Sequence, residues 1–411
     1  MRLKFALLCA FVVCGLTAAK AEPPGATAPA APTYRLEFLP LPAGATGILL
    51  SINNLGQVSG GYNLGPRDYK GGAALWTGGH FKALGSAAGP VAFGAAVNDR
   101  GDVAGYTKPP GFSSQAVVWT ADGQITQLDS SGGAASAYAN NGRGDTVGAR
   151  WRSPDGAGDP HATLWSGGAG KPIDLKTPSG TFSEAFGING TGDIVGYGGP
   201  PDRRRALLWS GSKVTTLKTL SGADWSQAVA INDKDYIVGA SGAGKTLRAT
   251  AWSGGSVTEL RTLKDYRNSD ALAVNEQGDA VGTSFSDGRA SSATLWRAGA
   301  VIDLNDAVVG SKVHLLSAIS INRQGDIVVL YATGNSNAVA GYGVLHPTGQ
   351  VAALSANRAL QASSFAAIRV AASTPRAAPQ GACREGPSGA ASLNPRLALA
   401  SCSAPSPTAH R

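Results

Sequence analysis

Apolar and polar positions alternate along this chain in short runs that break at an Asn-x-x-Gly step. The pattern recurs as "SINNLGQVSGGY" from Ser51, "AVNDRGDVAGYT" from Ala96, "NNGRGDTVGAR" from Asn140 and "GINGTGDIVGYG" from Gly187. It returns as "AINDKDYIVGAS" from Ala230, "AVNEQGDAVGTS" from Ala273 and "SINRQGDIVVLY" from Ser320. Each copy places two β-branched runs on either side of a tight turn, which predicts a hairpin of two short strands. One copy has Asp235 where the others have the turn Gly, and Asp tolerates the left-handed backbone better than most residues.

The anchoring residues are Asn53, Asn98, Asn141, Asn189, Asn232, Asn275 and Asn322, spaced 45, 43, 48, 43, 43 and 47 residues apart. Between them, apolar segments end in Trp76, Trp119, Trp165, Trp209, Trp252 and Trp296, with His346 at the seventh position. After a Gly-containing turn comes a further short strand ending in Leu84, Leu128, Leu175, Leu217, Leu260, Leu304 or Leu354. Each unit therefore predicts four antiparallel strands of about five residues. Seven such units predict an all-β chain folded as a seven-bladed β-propeller over residues 22–354, with a repeat of about 43–48 residues. A β-solenoid is the other architecture considered, but its coils usually take fewer than about 30 residues. An eighth copy of the Leu-type strand, Tyr34 to Leu41, is expected to close the ring by pairing the chain ends within one blade. The recurring tryptophans are expected in the blade cores.

Two motif matches dissolve against this repeat. Gly239, Gly244, Lys245 and Thr246 fit G-x-x-x-x-G-K-[ST], but a phosphate loop needs a strand passing into a helix. Gly239 holds the repeat position of Gly60, Gly105, Gly148, Gly196 and Gly282, and "TLRATAW" after it reads as a strand. No nucleotide is therefore expected. The Arg-Gly-Asp triplets at Arg100 and Arg143 are likewise ordinary turn positions. The turns lack the alternating acids of a calcium loop, so no metal and no other cofactor is expected.

The chain ends change the picture of location. Arg2 and Lys4, an apolar run from Phe5 to Ala18, and Ala19-Lys20-Ala21 read as a secretory signal peptide over residues 1–21. The run is shorter than the about 20 residues of a spanning helix, so a secreted or periplasmic protein with no membrane span is expected. Cys383 and Cys402 are then the two remaining cysteines, able to pair in an oxidising compartment. The formal charge of +8 suggests nucleic acid, yet the leader carries three of those charges. Residues 355–411 carry six Arg against one Glu, a further five, so the repeats are near neutral and no nucleic-acid partner is expected. This Ala-, Ser-, Pro- and Arg-rich segment is expected to be a disordered tail.

The repeat resembles that of the bacterial extracellular HAF family: "A-x-x-I-N-x-x-G-[DQ]-x-V-G", then an apolar segment ending in "LW", then "G-x-x-x-x-L". The His-Ala-Phe signature of that family survives only as His161-Ala162. The resemblance implies secretion and repetition and carries no activity.

No G-x-S-x-G elbow or H-E-x-x-H is present, and His80, His161, His314, His346 and His410 are scattered. The reading is a non-catalytic binding or scaffold module for a glycan or protein partner. The alternative is a polysaccharide lyase or glycoside hydrolase whose acid, His and Arg come from separate blades. In an up-and-down blade the tight turns share one end and the looser connections the other. Candidate ligand-binding residues on those looser loops are Tyr69, Lys70, Trp151, Arg152, Arg203, Arg204, Arg205 and Trp225, since function favours loops on a rigid scaffold.

Overall fold

The computed structural model describes residues 32–64, 71–86, 91–168, 170–178, 182–200, 202–287, 290–334 and 338–351. They form seven four-stranded antiparallel sheets, a seven-bladed β-propeller. Residues 1–31 and 352–411, and with them the leader, Leu354, Cys383 and Cys402, lie outside the described residues, as do Tyr69 and Lys70.

Blades are numbered here by their anchoring Asn, from Asn53 to Asn322. The inner strands are Thr46–Ile52, Ala92–Val97, Ala135–Asn140, Ser183–Ile188, Trp225–Ile231, Asn268–Val274 and Val313–Ile321. Each is followed through its Asn turn by the second strand, then by the Trp-bearing third and the short outer strand. In blade seven the outer strand is Pro32–Phe38, which pairs antiparallel with the third strand Gly341–Val351. The surplus strand thus closes the ring as the sequence predicts. Tyr34 is its wedge, fully buried in a cluster with Leu304, Val308, Ile327 and Leu345.

The inner strands carry one extra residue each. The pairing slips between Ala185 and Gly187 in blade four, and at the same place in every other blade. Such a bulge tightens local twist. It also explains a glycine of the second strand. A Cβ at Gly105, Gly148, Gly196, Gly239 or Gly282 would overlap the carbonyl of the inner-strand residue five before the Asn. Blade seven has Val329 there, and its inner strand shows a second slip between Leu315 and Ser317. The P-loop-like stretch is a hairpin: Ile237–Ala243 turns directly into Thr246–Ser253. Asp235 takes φ 57° in its turn.

Blades are stapled to one another by their tryptophans. Trp209 Nε1 donates to the Lys176 carbonyl at 2.6 Å, and Trp165 does the same to Asp129 at 2.8 Å. Trp252 reaches Lys218 at 2.6 Å and Trp296 reaches Arg261 at 2.7 Å. Each acceptor follows the outer-strand Leu of the preceding blade. Trp76 completes the series across the closure, bonding Pro40 at 2.8 Å. The rings themselves are buried between adjacent blades: Trp165 packs on Ala104, Val118 and Leu128 of the blade before it, and Trp119 on Ala73 and Leu75.

Candidate functional sites at the two ends of the propeller

At the turn end, the seven asparagines form a closed hydrogen-bonded ring. Each Nδ2 donates to the backbone carbonyl of the next blade's Asn: Asn53 to Asn98 at 2.8 Å, Asn98 to Asn141 at 3.0 Å and Asn141 to Asn189 at 3.1 Å. The circuit continues from Asn189 to Asn232 at 3.2 Å, to Asn275 at 2.9 Å and to Asn322 at 3.2 Å, and returns to Asn53 at 3.1 Å. Each Oδ1 meanwhile caps its own turn, as when Asn232 accepts from Lys234 N and Tyr236 N. With donor and acceptor both engaged, and each residue buried, these asparagines latch the ring rather than wait for a ligand.

Just beyond the ring lies a cavity of about 240 Å³ lined by all seven blades. Ile52, Val97, Ile188, Ile231, Val274 and Ile321 line it at the residue before the Asn, and Asn140 breaks the apolar series. Asn140 Nδ2 donates to the Asp102 carbonyl at 2.9 Å, while its Oδ1 is buried without a partner. The residue after each Asn forms the rim, with Asp99, Asp233, Glu276 and Arg323 as the charged members. The three carboxylates accept from the rim amide of the preceding blade, whereas Arg323 N donates to Asn54 Oδ1 at 2.8 Å. Asp99 receives Asn54 N at 2.8 Å, Asp233 receives Gly190 N at 2.6 Å, and Glu276 receives Asp233 N at 3.1 Å. Gly142 and Gly190 leave a gap in that rim.

At the opposite end, blades three to five carry a cation–aromatic cluster. The Arg204 guanidinium lies 4.1 Å from the Trp225 ring and 5.5 Å from that of Tyr197. Tyr197 packs on Phe182 and Phe186 with centroids 5.7 and 5.5 Å apart, and Phe186 stacks on Tyr138 at 5.4 Å. Beneath them is Glu184, 3% exposed, with Oε2 unpartnered. Burial pushes its carboxyl up to about 8, against the opposing pull of a Tyr197 hydrogen bond and the Arg204 charge. The same burial lowers the Arg204 guanidinium below its ordinary value. Glu184 stands five residues before its Asn, a position filled by Ile48, Phe93, Ser136, Gln227, Asp270 and Ser317 in the other blades.

Of the predicted loop residues, the fold brings Arg204 and Trp225 into contact and sets Arg203 and Arg205 beside them. Arg205 is tied to the carbonyls of Arg203, Arg204 and Asp224. Arg203 projects into solvent near Asp202, and Arg152 is also exposed. Trp151 does not face solvent: it is 2% exposed, packed with Tyr138, Phe186 and Tyr197. It supports the cluster from below. Between blades one and two the same end has a smaller, apolar notch of about 110 Å³ lined by Ile48, Tyr62 and Phe93.

Known structures share the propeller. The β-propeller domain of the Trilobed protease from Pyrococcus furiosus, described as having an open velcro topology, superposes with a TM-score of 0.52 at 10% identity, covering 76% of this chain and 96% of that one. Puromycin hydrolase gives a TM-score of 0.51 at 12% identity, over 76% of this chain and 55% of its own length. At such identities the likeness is one of fold. This chain differs from an open ring in that Pro32–Phe38 is hydrogen-bonded into the last blade. No protein-family model and no curated protein matches the chain. Among the described residues no helix is long and apolar enough to cross a membrane.

Proposed function

We propose that the chain is an exported, non-catalytic binding propeller of the HAF repeat kind, which recognises an anionic glycan or protein partner at the connecting-loop end around Arg203, Arg204, Arg205 and Trp225. The observation that carries this reading is the stacking of Arg204 between Trp225 and Tyr197. A guanidinium fixed on aromatic faces keeps its fork of donors oriented, so less entropy is lost when a carboxylate or sulfate is bound. Trp225 is itself partly exposed beside this guanidinium, so a bound partner also meets aromatic carbon. The test is a glycan-array screen with the Arg203→Ala/Arg204→Ala/Arg205→Ala variant alongside. Specific binding that disappears in the variant supports the loop-end site, and binding equal in both refutes it.

Glu184 favours a second reading, a propeller lyase or hydrolase. A carboxyl that keeps its proton near neutral pH, beside Tyr197 and Arg204, has the composition of a general acid site. Release of new reducing ends from an anionic polysaccharide, abolished by Glu184→Gln, supports this reading over the first.

A further inference from the structure

The Asn turns are acidic, and Pro32 and Val351, the two ends of the described residues, pair with each other at that end of the propeller. The four residues after each Asn contribute nine acids against four bases, a net of −5 over seven turns. The bases are engaged locally: Arg100 pairs with Asp102 at 2.6 Å, Arg143 with Asp145 at 3.2 Å, and Lys234 Nζ donates to the Glu276 carbonyl at 2.7 Å. Arg297 and His346 each meet one of the acids, Asp279 and Asp326. At the cavity rim, three carboxylates face one cation, Arg323.

The third strand of blade seven runs toward this end. Leu345 pairs with Ile327, His346 reaches Asp326 of the Asn322 turn, and Val351 pairs with Pro32. Val351, the last described residue, therefore lies at the turn end, and residues 352–411 carry a net charge of +5, six arginines against Glu385. The distance is short. Two strand spacings, about 10 Å, separate the third strand from the inner one. Arg358, seven residues past Val351 (358 − 351), reaches about 23 Å when extended.

We propose that residues 352–411 dock on the turn end of their own propeller, with the guanidinium of Arg358 or Arg369 seated in the seven-blade cavity. Asp99, Asp233 and Glu276 supply the charge, and Asn140 is the polar member of the residues that line the cavity just before the asparagines. Arginine suits the site because its planar fork binds carboxylates through paired hydrogen bonds. Retained arginines compete with any outside cation for the same rim, so the tail acts as a resident ligand of the propeller.

Hydrogen–deuterium exchange on the full chain tests this, comparing wild type with Asp99→Asn/Asp233→Asn/Glu276→Gln and with Arg358→Ala/Arg369→Ala. The amide and carboxamide replacements keep an oxygen for the rim hydrogen bonds, and an unchanged melting curve verifies that the fold survives. In wild type, amides around residues 355–372 are expected to exchange at least about tenfold more slowly than a free peptide of that sequence at about 0.02 M salt. Both variants, and about 0.5 M salt, should remove that protection. Equal exchange in wild type and the rim variant overturns the proposal. Protection that grows with protein concentration overturns it as well, because the rim is then taking the tail of a second copy.

Discussion

The asparagine ring makes a quantitative claim that Asn232→Ala puts at risk. Asn232 is 3% exposed and makes three hydrogen bonds: to the Asn275 carbonyl at 2.9 Å, and from Lys234 N and Tyr236 N at 3.0 and 2.9 Å. Each contributes about 1 kcal/mol, and stranding the inter-blade carbonyl inside the fold adds about 1–2 kcal/mol. The variant should therefore lose about 3–5 kcal/mol. Unfolding entropy near 2.1 cal/mol/K per residue, over about 320 residues, converts that into a fall in Tm of roughly 4–7 °C. Tryptophan fluorescence follows the melt directly, because the series reports from between the blades. Asn232→Asp then separates the two roles of the side chain. The turn acceptor is kept, but the inter-blade donor becomes an oxygen facing the Asn275 carbonyl. The introduced carboxyl is held above its unfolded value, so its protonated form stabilises below about pH 4 and that contribution is lost as pH rises. Its penalty relative to wild type should grow from pH 4 to 7, while the Ala penalty stays level. A cost below about 1 kcal/mol for Asn232→Ala, or an Asp penalty that ignores pH, refutes the latch.

Three further outcomes follow from the scaffold. Trp209→Phe removes the pyrrole half of a buried ring together with the 2.6 Å bond to Lys176, so a loss of about 2–4 kcal/mol in urea unfolding is expected. Gly239→Ala drives a methyl into the Gln227 carbonyl and should cost several kcal/mol or prevent folding, whereas Lys245→Ala in the exposed hairpin turn should leave the melt unchanged. His346 is raised by its hydrogen bond to Asp326, with the Asp326 and Glu37 charges adding to that pull. A raised histidine stabilises fully below its unfolded value and loses that contribution as pH climbs through its folded one. The stability advantage of wild type over His346→Gln should thus shrink from pH 6 to 8 in paired melts.

Much of the fold is legible because repetition averages out local ambiguity. The Asn, Trp and Leu landmarks recur at one phase, so a single misleading unit, such as the one with Asp235, cannot hide the blade. The surplus strand from Tyr34 even indicated how the ring closes. What the asparagines do was not legible. Within one unit Asn reads as a turn residue, and its second role is a bond to a partner 43 to 48 residues away within the chain, or 269 away across the closure. Trp151 looked like a loop residue because it falls outside the repeat register, yet it is buried beneath the aromatic cluster. Glu184 escapes a pattern built on recurrence, because its residue type does not repeat. Its signal is a difference: five residues before each Asn, Glu, Gln and Asp stand against Ile and Phe in the first two blades.

Recurrence and function pull in opposite directions in such a ring. A side chain present in every blade is recruited by the closure: the asparagines spend both amide groups on it, and five tryptophans spend their Nε1 on neighbouring blades. Chemistry left over for a partner must then sit where the seven units differ. Two such places stand out, and they lie at opposite ends with opposite charge. Blades three to five gather Glu184, Arg204 and Trp225 at the loop end, while Asp99, Asp233, Glu276 and the single polar interruption Asn140 gather at the turn end. An anionic ligand is repelled from the second and drawn to the first, and a basic segment behaves in the reverse way. Under the two proposals, one propeller holds its own arginine-rich tail at the turn end and leaves the loop end to an anionic partner, so saturating either end is expected to leave binding at the other unchanged.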